Sequence, residues 1–213
     1  SGIGSDELFS GYYDHHLLYL HEMKDNKDLY NKSLINWKNN ILPFVKNPYL
    51  KKYNLYNINP KFREHVFQND KFKDNIFCQN KKLKFREKVY VGSLMKNRMI
   101  NEMKHEIVPI VLKEDDLNSM YNSIENRSPF LDTGLFSECL NMPSKYYIKN
   151  GLAKWPLRQI INNIVPDKIR LNKRKIGFNA PIEEVIDLNK KKNIDFLFND
   201  SEISKIVKKN EVL

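Results

Sequence analysis

Cysteine is scarce: the 213-residue chain has two, Cys78 and Cys139. They lie far apart and have no ligand-type neighbours, so no thiolate metal site is spelled out. The pair reads as two reduced thiols of a cytosolic protein. Long apolar runs are lacking too. No stretch approaches the roughly 18 residues that a membrane-spanning helix needs. The opening Ser1-Gly2-Ile3-Gly4-Ser5-Asp6-Glu7 is not a basic segment followed by an apolar one, so no signal peptide is expected. The histidines give no metal site: His15 and His16 are adjacent and point apart on a helix, while His65 and His105 are isolated. No useful strand alternation, internal repeat or low-complexity linker is present.

Acidic charge is in deficit, with 36 Lys and Arg against 26 Asp and Glu, a net charge of +10. The lysines are spread along the chain among asparagines and isoleucines, the pattern of an AT-rich genome rather than of a nucleic-acid-binding face. A run such as Lys190-Lys191-Lys192 is a solvated surface. Neither a nucleic acid nor a membrane is an expected partner.

The spacing of apolar residues predicts a mainly α chain. Residues 1–4 read as the tail of a strand entering a tight turn. A helix follows from Ser5 or Asp6, with Leu8, Phe9, Tyr12, Tyr13, Leu17, Leu18 and Leu20 on a wide apolar face and Gly11 at a close approach. Residues 24–87 read as irregular helices and loops broken by Pro43, Pro48 and Pro60; Trp37, Ile41, Phe44 and Val45 share a face there, and Phe62, Val66 and Phe72 anchor other pieces. Further helices are expected over 88–105, with Val91, Leu94, Met95 and Met103 inward, and over 107–121, entered through Pro109. Asp132 or Thr133 caps a short helix through Leu140. Residues 151–164 form another, with Leu157, Ile160, Ile161 and Ile164 on one side, stopped by Pro166. Pro181 opens a helix over 182–188, and two short helical pieces follow from Asp195.

Three constellations carry chemistry. The first is the segment from Ser1 to Tyr12. A Gly-rich turn before acidic residues at a helix start lets backbone approach a nucleotide and lets Asp6 hold Mg²⁺ on phosphates. A plain turn with capping carboxylates explains the same residues. The second spans 114–132, where Asp115, Asp116, Asn118, Ser119, Ser123, Glu125 and Arg127 crowd beside Pro129-Phe130-Leu131. Burying such groups is costly without partners, so the segment reads as the wall of a polar site. Asp115, Ser119 and Ser123 share one helix face. Met120 reads as core. The third combines Lys154 and Arg158 with the basic run 170–175 before Gly177-Phe178, suited to a phosphate clamp.

These three strings, in this order, resemble the synthetase domain of the glutamine-dependent asparagine synthetases. The first matches their S-G-x-G-x-D-E-x-F-x-G-Y motif. The second matches D-x-x-S-M…S-x-E-x-R-x-P-F-L-D. The third is similar to G-x-x-K-x-x-L-R followed by N-R-x-K-x-G-F. The resemblance runs from Ser1 to about Ile186. It implies that Ser1 and Gly2 touch the adenylate, that Asp6 serves magnesium pyrophosphate, and that Lys175 stabilises charge on the transferring phosphorus. Lys154 and Arg158 would brace that site. Ser119, Glu125 and Arg127 would organise the carboxylate pocket; for Glu125 and Arg127 a buried ion pair fixing the Pro129-Phe130-Leu131 turn stays open as an alternative.

The implied fold is the C-terminal helical part of an α/β adenine-nucleotide-hydrolase-like (PP-loop ATP pyrophosphatase) domain. The implied cofactors are ATP and Mg²⁺, the partners a carboxylate substrate and glutamine-derived ammonia, and the location the cytoplasm. The S-G-G-x-D-S phosphate loop and the N-terminal glutaminase domain of the family are absent, so residues 1–213 are expected to be a C-terminal portion that is inactive alone. One departure is Ile3, where the family commonly has Glu. The related β-lactam synthetases place Tyr there with a Glu near the position of Ser119, and neither is present. The acceptor is therefore aspartate or another carboxylate, such as a sugar acid in polysaccharide synthesis; a third reading is an inactive remnant.

Overall fold

Helix α1 (Ser5–Phe9) lasts five residues before the chain turns away. Gly4, with φ +92°, feeds it, and Ser10, with φ 61°, ends it in the left-handed region. Tyr12 then opens α2 (Tyr13–Met23), so the single helix expected over residues 5–20 is two helices joined by an elbow. The elbow has a steric reason. A Cβ on Gly11 would lie 1.7 Å from Asp6 Oδ1 and 2.6 Å from Lys154 Cε, so only glycine leaves room for both side chains.

The computed structural model describes residues 1–66, 86–175, 186–187, 189–199, 202–208 and 210. Two units divide it, Ser1–Phe62 with Arg86–Lys175, and Arg63–Phe85 with Ile176–Leu213. The described residues are mainly helical, as expected, and contain no strand; an isolated antiparallel bridge pairs Lys149 with Leu152. The strand tail expected at residues 1–4 is thus a turn.

In the first unit, α3 (Lys27–Asn40) is longer and more regular than the expected loops. Asn26 caps it by accepting from the Leu29 N–H at 3.1 Å, and its buried apolar contribution comes from Trp37, which is why periodicity was faint there. Pro43 and Pro48 enter 3₁₀ turns at Leu42–Phe44 and Pro48–Lys51, and α4 (Leu55–Ile58) follows. Trp37, Ile41 and Val45 are buried, whereas Phe44 is partly exposed.

Helix α5 (Leu94–Lys104) starts at the Ser93 cap, six residues after the expected start at 88. Residues 88–90 lie alongside it instead. Their Lys88 and Tyr90 N–H groups donate to the side chains of Asn101 and Asn97, at 2.9 and 2.7 Å, satisfying backbone that a helix would otherwise satisfy. Val91 is consequently exposed, while Met95 is fully buried. Helix α6 (Ile107–Tyr121) has the expected bounds, but Met120 is exposed rather than core. Asp132 caps α7 (Thr133–Asn141) by accepting from the Leu135 N–H at 2.8 Å. Helix α8 (Trp155–Ile160) is half the length expected because Gly151 and Lys154 both have positive φ, which no right-handed helix accommodates. Ile160 and Ile164 are accordingly exposed. A short α9 (Asp167–Arg170) completes the unit.

Its core joins Leu17, Leu18, Tyr19 and Leu20 of α2 to Trp37, Met95, Met99 and Tyr147. A smaller cluster sets Leu8 and Phe9 of α1 against Cys139, with Phe130 and Leu157 packed around them. Cys139 is a free, buried thiol. Burial, then Glu138, pushes its pKa up to about 11, which keeps it protonated and unreactive. In the second unit, α10 (Lys191–Phe198) packs on α11 (Ile203–Ile206). The expected helix at 182–188 falls mostly outside the described residues, as do Phe72 and Cys78.

Candidate functional site

The elbow between α1 and α2 turns the Asp6 carboxylate toward two lysines from the far end of the first unit. Lys154 Nζ is 2.8 Å from Asp6 Oδ1, and Lys175 Nζ is 3.4 Å from Asp6 Oδ2. Lys154 also donates to Ser5 Oγ at 3.1 Å. Its backbone is held in the left-handed region with φ 56°, a conformation costing about 1–2 kcal/mol outside glycine. The Lys154 N–H donating to the Phe9 carbonyl at 3.1 Å helps to hold it there. Lys175 Nζ also stands 3.6 Å from the centroid of the Tyr12 ring, so the ammonium is attracted by both a carboxylate and a π face.

The electrostatics follow from this geometry. Burial works to raise the Asp6 pKa, but the ammonium groups of Lys175 and Lys154 outweigh it and hold the carboxyl below its usual value. Burial lowers the Lys175 pKa more than Asp6 raises it, and the neighbouring Lys154 lowers it further. Asp6, Lys154 and Lys175 together carry one excess positive charge, partly exposed, which the buried Glu7 carboxylate acting on Lys175 offsets only from behind. That arrangement suits a polyanion accompanied by a cation.

Arg158 works behind this cluster. Its Nε donates to the Ala153 carbonyl at 2.6 Å and its fork also donates to the Arg170 carbonyl, while Arg170 Nη1 returns a bond to the Arg158 carbonyl at 3.2 Å. It thus fixes the backbone on either side of Lys154 and α9. Burial, then Arg170, lowers its pKa.

Ser1 lies beside the second motif. Its backbone nitrogen donates to the Arg127 carbonyl at 2.6 Å, and its Oγ accepts from the Ile3 N–H at 3.4 Å. Among the described residues nothing lies within 4 Å of a Cβ placed on Gly2, whereas one on Gly4 would meet Leu131 at 2.6 Å. Gly4 therefore packs against the Pro129–Leu131 turn, and Gly2 leaves its surroundings open.

The 114–132 segment differs from the buried wall expected. Glu125 and Arg127 do pair, at 3.0 Å, but their side chains are 71% and 82% exposed, so they form no buried ion pair. Exposure removes the desolvation cost that made their density informative. Ser119 sits near the end of α6 and is half-buried; its carbonyl accepts from the Ile124 N–H at 2.9 Å. Ser123 is in the left-handed region just past the helix, with φ 56°. Asn126 donates to Asp115 at 2.8 Å, tying the segment back on itself.

Sequence reasoning missed a buried charged layer behind the lysines. The Tyr12 hydroxyl donates to Glu7 Oε1 and its ring meets His15 edge to face. His15 Nε2 pairs with Glu102 at 2.8 Å. Arg98, with no exposure, donates to Asp14 at 2.7 Å and also binds Glu87. Among the described residues, Asp14, His15 and Glu102 bring ligand-type atoms within 4.8 Å of one another. They already satisfy one another and Arg98, the pattern of a buried ion-pair cluster. The available signal was Asp14-His15-His16 inside an apolar stretch of α2: buried polar residues need partners.

Comparison with known proteins bears on the whole chain. A protein-family model described as asparagine synthase matches residues 1–212. Asparagine synthetase [glutamine-hydrolyzing] 1 of Bacillus subtilis (strain 168) is 29% identical over 156 residues, covering 70% of this chain and 24% of that protein. Putative asparagine synthetases [glutamine-hydrolyzing] of Mycobacterium bovis and Mycobacterium tuberculosis are 37% identical over 73 residues, covering 34% of this chain and 11% of theirs. The chain thus spans a quarter or less of the curated relatives it matches. No solved structure matches it significantly.

Proposed function

Because the chain belongs to the asparagine synthase family, we propose that it is the C-terminal helical part of an ATP-dependent amide-forming ligase domain, and that Asp6, Lys154 and Lys175 are its magnesium-pyrophosphate corner. The approach of Asp6 and Lys175, distant in sequence and 3.4 Å apart, carries the reading.

In this reading a carboxylate oxygen attacks the α-phosphorus of ATP, forming the acyl–phosphate bond and releasing pyrophosphate. Ammonia released from glutamine then attacks the acyl carbon, and AMP leaves with the electron pair of the broken carbon–oxygen bond. Lys175 and Lys154 hold the negative charge that accumulates on the departing pyrophosphate. Tyr12 keeps the Lys175 ammonium over its ring, and Arg158 holds the backbone from which Lys154 reaches. Ser1 and Gly2, with open space at Gly2, border the nucleotide. Ser119, Glu125 and Arg127 border the acceptor carboxylate, Arg127 supplying the cation.

The donor chemistry fits Mg²⁺: Asp6 is a hard oxygen ligand kept ionised by its neighbours, and would hold the ion directly or through water. When bound, Mg²⁺ neutralises pyrophosphate charge.

The acceptor is aspartate in the first reading. Ile3 favours a second, another carboxylate, because an isoleucine at the motif's third position neither titrates nor hydrogen-bonds. A chimaera in which residues 1–212 replace the asparagine-synthase-family region of the Bacillus relative tests both. AMP release driven by aspartate supports the first reading, and release driven only by other carboxylates supports the second. Activity that survives Lys175→Ala in that chimaera removes Lys175 from its role.

A further inference from the structure

One residue along α2 from His15, the chain faces a different environment. His16, α3 and the 145–151 segment enclose a cavity of about 330 Å³. That size falls in the range of small-molecule sites, roughly 300–1,000 Å³. None of Asp6, Lys154 and Lys175 lines it.

Its walls divide by chemistry. Tyr19, Leu20, Trp37 and Ile148 line it and are all buried, which gives a largely apolar interior. Its charged lining residues, Lys32, Lys145 and Lys149, are exposed lysines and therefore form a rim. Among the described residues no carboxylate lines the cavity. Lys145 and Lys149 rest over the rings of Tyr146 and Trp155, at 5.1 and 5.2 Å, contacts that leave their positive charge uncompensated. His16 adds a polar group without charge: burial, with His15 beside it, lowers its pKa to about 3. A ring neutral at physiological pH can hydrogen-bond a ligand and does not repel one.

Three cations with no carboxylate partner among the described residues, around an apolar slot that Trp37 and Tyr19 help to line, select an anion with an aromatic body. We propose that this cavity is a second binding site, for a small aromatic carboxylate whose ring lies against Trp37 and Leu20 and whose carboxylate meets Lys32, Lys145 and Lys149. The lysines come from two different elements, α3 and the 145–151 segment, so the positive charge is not confined to one wall. The inference is independent of the amide-forming reading, since no residue of the Asp6 cluster takes part.

Titration calorimetry of the 213-residue chain with 2-naphthoate, and with its neutral isostere 2-naphthamide, tests the site. Saturable one-site binding of naphthoate is expected, with the amide weaker by at least about tenfold. The double variant Lys32→Glu/Lys149→Glu changes exposed side chains only and should keep the circular dichroism spectrum. It should weaken naphthoate by at least about tenfold and leave the amide unchanged. Equal affinity for acid and amide, an unaffected double variant, or no saturable binding of naphthoate would each overturn the proposal.

Discussion

Lys175 Nζ lies 3.6 Å from the centre of the Tyr12 ring and 3.4 Å from Asp6 Oδ2, so one ammonium is shared between a π face and a carboxylate on the two arms of the same elbow. Tyr12 in turn donates to the buried Glu7. The ring is anchored from below, and the lysine is placed from above. Tyr12→Leu keeps an apolar side chain but removes the π face and the hydroxyl. It is expected to weaken magnesium-pyrophosphate binding several-fold, in line with a cation–π contact worth about 0.5–2 kcal/mol. Tyr12→Phe should weaken it less; equal losses in the two variants would assign the effect to the Glu7 bond.

Gly11→Ala separates site geometry from stability. The new methyl would overlap Asp6 Oδ1 and Lys154 Cε, both on side chains able to swing away. Urea unfolding should therefore show a modest loss, about 1 kcal/mol. Phosphate-ligand binding should fall much further, because Asp6 and Lys154 can no longer meet. Preserved binding would show that their 2.8 Å contact is dispensable.

Arg98→Met addresses the buried layer. Asp14 and Glu87 would lose the Arg98 guanidinium with little access to water. Breaking a buried pair from one side costs about 3–5 kcal/mol. The urea midpoint should drop accordingly or the chain should fail to fold. The triple change Arg98→Met/Asp14→Leu/Glu87→Gln should recover part of the loss. No recovery would show that the cluster does more than neutralise itself.

The His15–Glu102 pair gives stability a pH dependence. Burial works to lower the His15 pKa, but Glu102 and Asp14 outweigh it and raise the value above 6.5; burial raises that of Glu102. The folded pair therefore keeps a proton that the unfolded chain gives up. Its stabilisation is fully present below about pH 6.5 and is lost as pH rises through the folded pKa, with a slope of at most about 1.4 kcal/mol per pH unit for one proton. Urea midpoints measured from pH 7.5 to 9, above the range in which the buried neutral His16 contributes with the opposite sign, should fall with pH and flatten in Glu102→Gln. An identical slope in the variant would place the proton elsewhere.

The sequence was most legible where chemistry and backbone signals coincided. Ile107–Tyr121 and the Asp132 cap were readable from periodicity and capping. The elbow at Ser10 was not, because Ser10 is no usual left-handed residue and the apolar spacing runs on through it. Lys154 likewise shortened α8 through a backbone conformation that propensity does not forecast. Asp6 and Lys175 could be named from motifs alone, but their contact depends on tertiary packing. The 114–132 segment misled because its crowded polar residues implied burial, and Glu125 and Arg127 stand in solvent instead.

Titration calorimetry of magnesium pyrophosphate into the unmodified chain and into Asp6→Asn and Lys175→Met examines the shared corner itself. Saturable binding that weakens at least about tenfold in either variant, with no further loss when both are combined, is the expected result. Binding that is indifferent to both residues, or two independent and additive losses, would contradict a single magnesium-pyrophosphate site built from Asp6 and Lys175.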